Sequence, residues 1–316
     1  MTERKPLVLD QVVVPAGTYK VVHLPIARLT SGVEIPLPVH VFHGAKEGPT
    51  VLLSGGLHGD EVNGVEIVRR ALSGKLLSGL ECGTVLAIPI INVYGFLFFS
   101  RDVPDGKDVN RSFPGTPDGS LASLVAHTLN TKILPLVDFG IDFHTGGASR
   151  TNYPQIRYAK DDPQALELAR AFSAPMSMPS SLIHGSLREA AHKLGVPIVV
   201  YEGGESMRLD SYSIEEAITG TKRLLHHLEM IHSPQILQTT LVLKESTWIR
   251  AKASGIFSCV AQLGDFIRKG EELASISDPY GQVVVPIKAT TTGHLIGVNN
   301  NPVVNVGDAL LHVGEE

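Results

Sequence analysis

Cysteine is scarce: Cys82 and Cys259 are the only two in 316 residues. One distant pair cannot staple a small fold, and without a Cys-x-x-Cys pair there is neither a thiolate cage for zinc nor a dithiol redox centre. Basic runs are missing too. No stretch of Lys and Arg exceeds two residues and the net charge is −5, so the chain offers no basic face to a phosphate backbone, and nucleic acid is not an expected partner. Long apolar runs are absent. The most apolar window, 86–99, is interrupted by Pro89, Asn92 and Gly95 and falls short of the roughly 20 residues of a membrane helix. The first nine residues contain no apolar stretch of the signal-peptide kind. These absences point to a soluble protein in a reducing, cytoplasmic setting with no membrane partner.

What remains is ordinary globular material, 43% hydrophobic and 19% charged, long enough for about two domains. Residues 1–49 read as short strands at 11–14, 19–23 and 37–42, separated by Pro, Gly and Ser. From Thr50 strands alternate with helices. A strand at 50–54 ends in Gly55-Gly56, and Val62, Val65, Val68 and Leu72 recur at helical spacing behind Asp60, an expected N-cap. Strands are expected at 84–90 and 137–143, with a helix over about 118–134 between them. Asp162-Pro163 and Ser186-Leu-Arg-Glu189 are helix starts, and Gly195 is a helix stop. The run 196–201 reads as a strand buried on both faces, followed by a helix over about 214–231. The alternation predicts an α/β fold, a sheet covered by helices on both sides.

After about residue 233 the texture changes to Gly, Val and Thr with no helical period. Phe266-Ile-Arg-Lys-Gly270-Glu-Glu-Leu273 matches Val303-Val-Asn-Val-Gly307-Asp-Ala-Leu310 at an offset of 37 (307 − 270), which suggests a small pseudo-symmetric β-barrel or sandwich. The boundary is expected between 233 and 245, giving a unit of 1–235 and a β unit of 236–316.

Chemistry concentrates at strand ends. In Gly56-Leu-His58-Gly-Asp-Glu61 an imidazole and a carboxylate stand three residues apart where a strand turns into a helix. A His-x-x-Glu pair is common on its own. A third candidate, His144 in Asp142-Phe-His144-Thr-Gly146, lies at another strand end, and sites of open α/β sheets collect at the carboxyl ends of strands. His58, Glu61 and His144 make a two-His, one-carboxylate set suited to Zn²⁺ with a position left for water. His127, His192, His226 and His227 fall on expected helices and read as solvated. Glu202, ending the strand 196–201, can take a proton from water beside a metal, with Glu205 as its competitor. Arg101 and Arg111 share a polar loop and suit a carboxylate or a developing oxyanion.

Five blocks in order, Gly56 to Glu61, Asn92-Val-Tyr-Gly-Phe96 leading to Arg101, Asp108-Val-Asn110-Arg111-Ser-Phe-Pro-Gly115, Asp142 to Gly146, and Glu202-Gly, resemble the succinylglutamate desuccinylase/aspartoacylase family. The resemblance implies a zinc-carboxypeptidase-like three-layer α/β/α sandwich with a mixed sheet and a C-terminal barrel-sandwich domain. It implies one zinc per chain on His58, Glu61 and His144, with Glu202 as general base and later proton donor. Arg101 would polarise the scissile carbonyl, Asn110 and Arg111 would bind the substrate carboxylate, and Asp108 would orient a zinc-bound His. Arg150 and Arg157 are candidates for acyl-group recognition. The implied activity is hydrolysis of an N-acyl amino acid or similar small amide. A carboxypeptidase with the same machinery and a non-catalytic metal-dependent binding protein remain alternatives. The C-terminal repeat is similar to lipoyl and biotinyl carrier half-motifs, yet its tip, Asp278-Pro-Tyr-Gly281, has no lysine and Lys288 lacks a flanking Met. Narrowing the site's mouth, contacts between like subunits and simple packing all stay open for this unit.

Overall fold

Residues alternate between two hydrophobic cores along the strands of one sheet. In this computed structural model, which describes residues 4–28, 32–233 and 238–316, ten strands follow one path through that sheet. They are β1 (Thr18–Arg28), β2 (Glu34–His43), β3 (Lys46–Gly55), β4 (Cys82–Ile88), β5 (Phe139–Gly146), β6 (Arg150–Ala159), β7 (Ile198–Glu205), β8 (Glu245–Arg250), β9 (Gly293–Asn299) and β10 (Ala309–Glu315). Their spatial order is β8-β10-β9-β6-β7-β5-β3-β4-β2-β1, with three short strands at the margins. The four central strands, β4, β3, β5 and β7, pair in parallel, and every pairing outside them on the path is antiparallel.

Among the described residues five helices of seven residues or more cover the sheet: α1 (Val62–Ser73), α2 (Leu121–Thr128), α3 (Pro163–Phe172), α4 (Leu187–Lys193) and α5 (Ser211–His227). Val51 and Leu53 of β3 face one core with Ile67 of α1, Leu168 of α3 and Leu224 of α5. Leu52, between them, faces the other with Val125 of α2 and Leu187 of α4. The result is a mixed α/β fold with a large mixed sheet. Val51, Leu52 and Leu53 of β3 and Val85, Leu86 and Ile88 of β4 are fully buried, as expected of strand segments covered on both sides.

Several helix starts form as the sequence indicates. Asp162 accepts from the Ala165 N–H at 3.0 Å ahead of Pro163, and Ser186 accepts from the Glu189 N–H at 3.1 Å. The second half of that capping pair differs: the Glu189 carboxylate takes the Gly185 N–H at 2.8 Å. Asp60 is not the cap of α1. Glu61 holds that position without capping through its side chain, because its carboxylate is drawn to the imidazoles described below. The helix expected over 118–134 begins at Leu121 behind Ser120 and is α-helical only to Thr128, continuing as a wider turn and then a tighter one. The strand expected at 137–143 is Phe139–Gly146, so His144 stands within it rather than beyond its end.

Downstream of residue 238 no helix occurs among the described residues. The offset-37 repeat is visible in the backbone: Phe266–Ile267 and Glu272–Ser277 correspond to Val303–Val304 and Ala309–Glu315, with Gly270 and Gly307 at φ of +89° and +90° in the same left-handed turn. This region builds a four-stranded sheet and its own apolar cluster around Phe257, Leu273 and Leu310. It also lends β8, β9 and β10 to the large sheet, joined where Gly297 of β9 pairs with Asn152 of β6. The expected division at 235/236 lies outside the described residues. Among those described, no helix is long and apolar enough to cross a membrane.

Candidate active site

Close packing of α1 on β5 brings the candidate ligands together. A Cβ at Gly64 would collide with the Phe143 carbonyl oxygen, so glycine lets the first turn of α1 press against the strand that carries His144. His58 follows the end of β3, Glu61 sits at the mouth of α1, and His144 points off β5. One ligand atom from each lies within 4.8 Å of the others, all three residues are buried, and the group can hold a metal ion. Glu202 is the Cα partner of His144 across the parallel β5/β7 pair, so strand register sets this carboxylate residue beside the cluster.

The electrostatics suit a cation. Glu61 Oε1 lies 2.7 Å from His58 Nδ1 and Oε2 lies 2.9 Å from His144 Nδ1, while Oε2 also accepts the Thr145 N–H at 3.0 Å. Burial opposes charge on Glu61, yet the two imidazoles overcome it and hold its carboxyl well below the usual range. Burial likewise opposes charge on His144, but Asp142 and Glu61 outweigh it and raise its pKa well above normal. His58 is raised in the same way, against its burial, by Glu61 and Asp108. A buried pocket that raises the pKa of two imidazoles is one whose carboxylates favour positive charge, and a divalent cation on the same N, N, O donor set would supply it.

Partners behind the candidate ligands fix the rings. His144 Nε2 meets Asp142 Oδ2 at 2.7 Å, and Asp142 Oδ1 accepts from Ser54 Oγ at 2.7 Å, which leaves Nδ1 of His144 facing the cluster. Asp142 was quoted in the sequence only as a neighbour; its i, i+2 position on a strand, on the same face as His144, is the signal that gives it this task. Asp108 lies near the other ring: its Oδ1 is 3.4 Å from His58 Nε2, an electrostatic contact without hydrogen-bond alignment, since that nitrogen is buried with no bonded partner. Arg101 donates to Asp108 Oδ2 at 3.2 Å from Nε and 2.9 Å from Nη2. Its Nη1 lies 3.2 Å from His58 Nδ1 and 3.5 Å from Glu61 Oε1, beside the point where the donor atoms converge.

These groups open into one cavity of about 450 Å³. Asn110 and Arg111 line it, Asn110 with its Oδ1 taken by the Leu187 N–H at 2.9 Å and Arg111 exposed. Arg150 and Arg157 line it as well. Glu205 does not; its carboxylate pairs with Arg208 at 3.1 Å, whereas Glu202 faces the cavity. His192 and His227 are exposed, while His127 and His226 are half-buried rather than solvated. Sequence reasoning missed Arg188, which reads as a helix-surface residue but is half-buried at the cavity wall, donating to Ser180 Oγ and Ser181 O at 2.8 Å. Burial, with Arg157 nearby, pushes its pKa down to about 10. It also missed Trp248 and His312, cavity residues supplied by β8 and β10, although Trp248 is the sole tryptophan.

His312 stacks on Trp248, ring centroids 4.4 Å apart and ring planes nearly parallel. Burial first, then the charge of Arg157, pushes its pKa down to about 3. The unfolded imidazole titrates near 6.5, so between these values only the unfolded chain binds the proton. The stability this neutral ring allows is intact above pH 6.5 and is lost as the pH falls toward 3, at about 1.4 kcal/mol per pH unit. Urea unfolding at pH 7 and pH 5 is therefore expected to show a drop in wild type about 2 kcal/mol larger than in His312→Gln. Equal drops in the two proteins would remove His312 from the account.

Comparison with known proteins follows the same lines. Residues 47–228 match the succinylglutamate desuccinylase/aspartoacylase catalytic domain. N-alpha-acetyl-L-2,4-diaminobutyric acid deacetylase from Halomonas elongata is 29% identical over 286 residues, covering 85% of this chain and 83% of that protein. The product-bound ectoine utilization protein EutE (DoeB) from Ruegeria pomeroyi superposes with a TM-score of 0.86 at 26% identity, covering 99% of this chain and 98% of that one. A succinylglutamate desuccinylase/aspartoacylase from Rhodobacter sphaeroides gives 0.83 at 26% identity over 94% of this chain and 96% of its own.

Proposed function

The chain belongs to the succinylglutamate desuccinylase/aspartoacylase family, and from that premise we propose that it is a zinc-dependent deacylase that hydrolyses the amide bond of an N-acyl amino acid or similar small N-acylated amine. The observation that carries the proposal is the meeting of His58, Glu61 and His144 in the cavity that also holds Glu202 and Arg101. One zinc per chain on those three residues would polarise water and the scissile carbonyl. Glu202 takes the proton of the attacking water and later delivers it to the leaving nitrogen. Arg101, anchored through Asp108, meets the oxygen on which negative charge develops. Arg111, with the amide nitrogen of Asn110, receives the substrate carboxylate, and Arg150 and Arg157 face the acyl side. On the same reading the sheet and its helices form a three-layer sandwich of the zinc-carboxypeptidase type over residues 1–235. The C-terminal strands, 236–316, form a barrel-sandwich at the cavity mouth, and the protein acts in the cytoplasm.

The test is hydrolysis by zinc-loaded protein of Nα-acetyl-L-2,4-diaminobutyrate, N-succinyl-L-glutamate, N-acetyl-L-aspartate and a set of dipeptides. The expected result is turnover of at least one acyl amino acid, abolished by chelation and restored by zinc. Turnover of the dipeptides alone would make the protein a carboxypeptidase, and activity indifferent to chelation would end the zinc reading.

A further inference from the structure

Glu202 is long and flexible, yet a base must be held still to work. Two side chains from the neighbouring strand β6 hold it. Asn152 Nδ2 donates to Glu202 Oε2 at 2.8 Å, and Arg157 Nη1 stands 3.5 Å from Oε1. The direct cross-strand partner of Glu202 is Gln155, not Asn152; the register slips between Glu202 and Gly204, so that Asn152 falls opposite Gly204 and reaches back diagonally. Such a slip beside an active site re-aims a side chain.

Room for that reach comes from the C-terminal strands. On its other side Asn152 pairs with Gly297 of β9, which in turn pairs with His312 of β10. A Cβ at Gly297 would lie 3.2 Å from Asn152 Oδ1 and 3.1 Å from the His312 Cβ, so any larger residue would crowd the amide against its neighbours. Asn152 is only 8% exposed, and water has little access to take over its bond. An amide is also the right chemistry. It donates to an ionised carboxylate, whereas a carboxylate of the same shape would place like charges together.

We infer that Asn152 is the positioning residue for Glu202 in this protein, and that Gly297 makes the C-terminal strands part of the catalytic apparatus by leaving space for it. The inference rests on the proposed role of Glu202. Asn152 lines the same cavity; in this scheme it acts through the carboxylate it orients.

Kinetics on whichever of the three acyl amino acids named above is turned over fastest, together with zinc content and a crystal structure, test this. Asn152→Ala and the isosteric Asn152→Asp are expected to lower kcat about 10- to 100-fold, with KM within about threefold and zinc unchanged. Gly297→Ala should give a smaller loss of the same kind. In a Glu202→Gln background, Asn152→Ala should add less than about twofold, because two residues acting as a unit are not additive. The Asn152→Ala crystal should show the Glu202 carboxylate turned from its wild-type orientation. Wild-type kcat in Asn152→Asp, the same loss in both backgrounds, or an unmoved Glu202 would overturn the inference. Failure of the underlying reading looks different: Glu202→Gln alone would retain full activity.

Discussion

Glu202→Gln is expected to lower kcat by about 10²- to 10⁴-fold while zinc stays at one per chain. The substitution keeps the shape of the side chain and its reach into the cavity but removes the ability to take up a proton from water at neutral pH. It leaves His58, Glu61 and His144 untouched, since Glu202 lies beside His144 across the β5/β7 pair without belonging to the buried three-residue group. Binding and catalysis therefore separate in this variant. Substrate affinity should change little, because the carboxylate of the substrate is assigned to Arg111 and Asn110 at another part of the cavity wall. Measurement of kcat, KM and metal content on one preparation checks all three statements. A variant with full turnover would remove Glu202 from the mechanism, and a variant that loses its zinc would make Glu202 part of the metal site.

His144→Ala should behave in the opposite way, losing zinc and activity together. Its imidazole bridges two carboxylates, Glu61 on Nδ1 and Asp142 on Nε2, and both lie in the buried interior. Removing the ring would leave two of the three proposed donor residues, and it would leave Asp142 with its Ser54 hydrogen bond but without the imidazole. Zinc is expected to fall from one per chain to near zero and turnover by more than about 10³-fold. Loss of the imidazole from buried Asp142 Oδ2 should also lower stability by about 1–3 kcal/mol. Metal analysis and urea unfolding of the variant check the two parts separately. Unchanged zinc content would exclude His144 as a ligand.

How much of this was legible in the sequence follows from what strand and turn signals encode. The three ligand candidates stood out because glycines flank them at strand ends, and the structure places all three in one buried group. The N-cap of α1 was misread as Asp60 for a related reason: capping preference is local, while Glu61 answers to an imidazole 83 residues away. The antiparallel strand β6 went unread between the ligand block and α3. With it went Asn152, whose meaning depends on a register slip and on a glycine of β9 that no local pattern announces. Arg188 was hidden by the opposite problem. Its place behind Ser186 looks like a solvated helix start, and only its hydrogen bonds to Ser180 and Ser181 draw it to the cavity wall. The 37-residue repeat was readable because both copies need glycine at the same left-handed turn. Its attachment to the main sheet was not, since pairing partners lie about 145 residues apart (297 − 152).

The most direct measurement is anomalous X-ray scattering at the zinc edge from crystals of the zinc-loaded protein. The account predicts one peak per chain, about 2.0–2.2 Å from Nδ1 of His58, Nδ1 of His144 and a carboxylate oxygen of Glu61, with Glu202 on the open side. A zinc peak bound elsewhere, or none at these three residues, would contradict it.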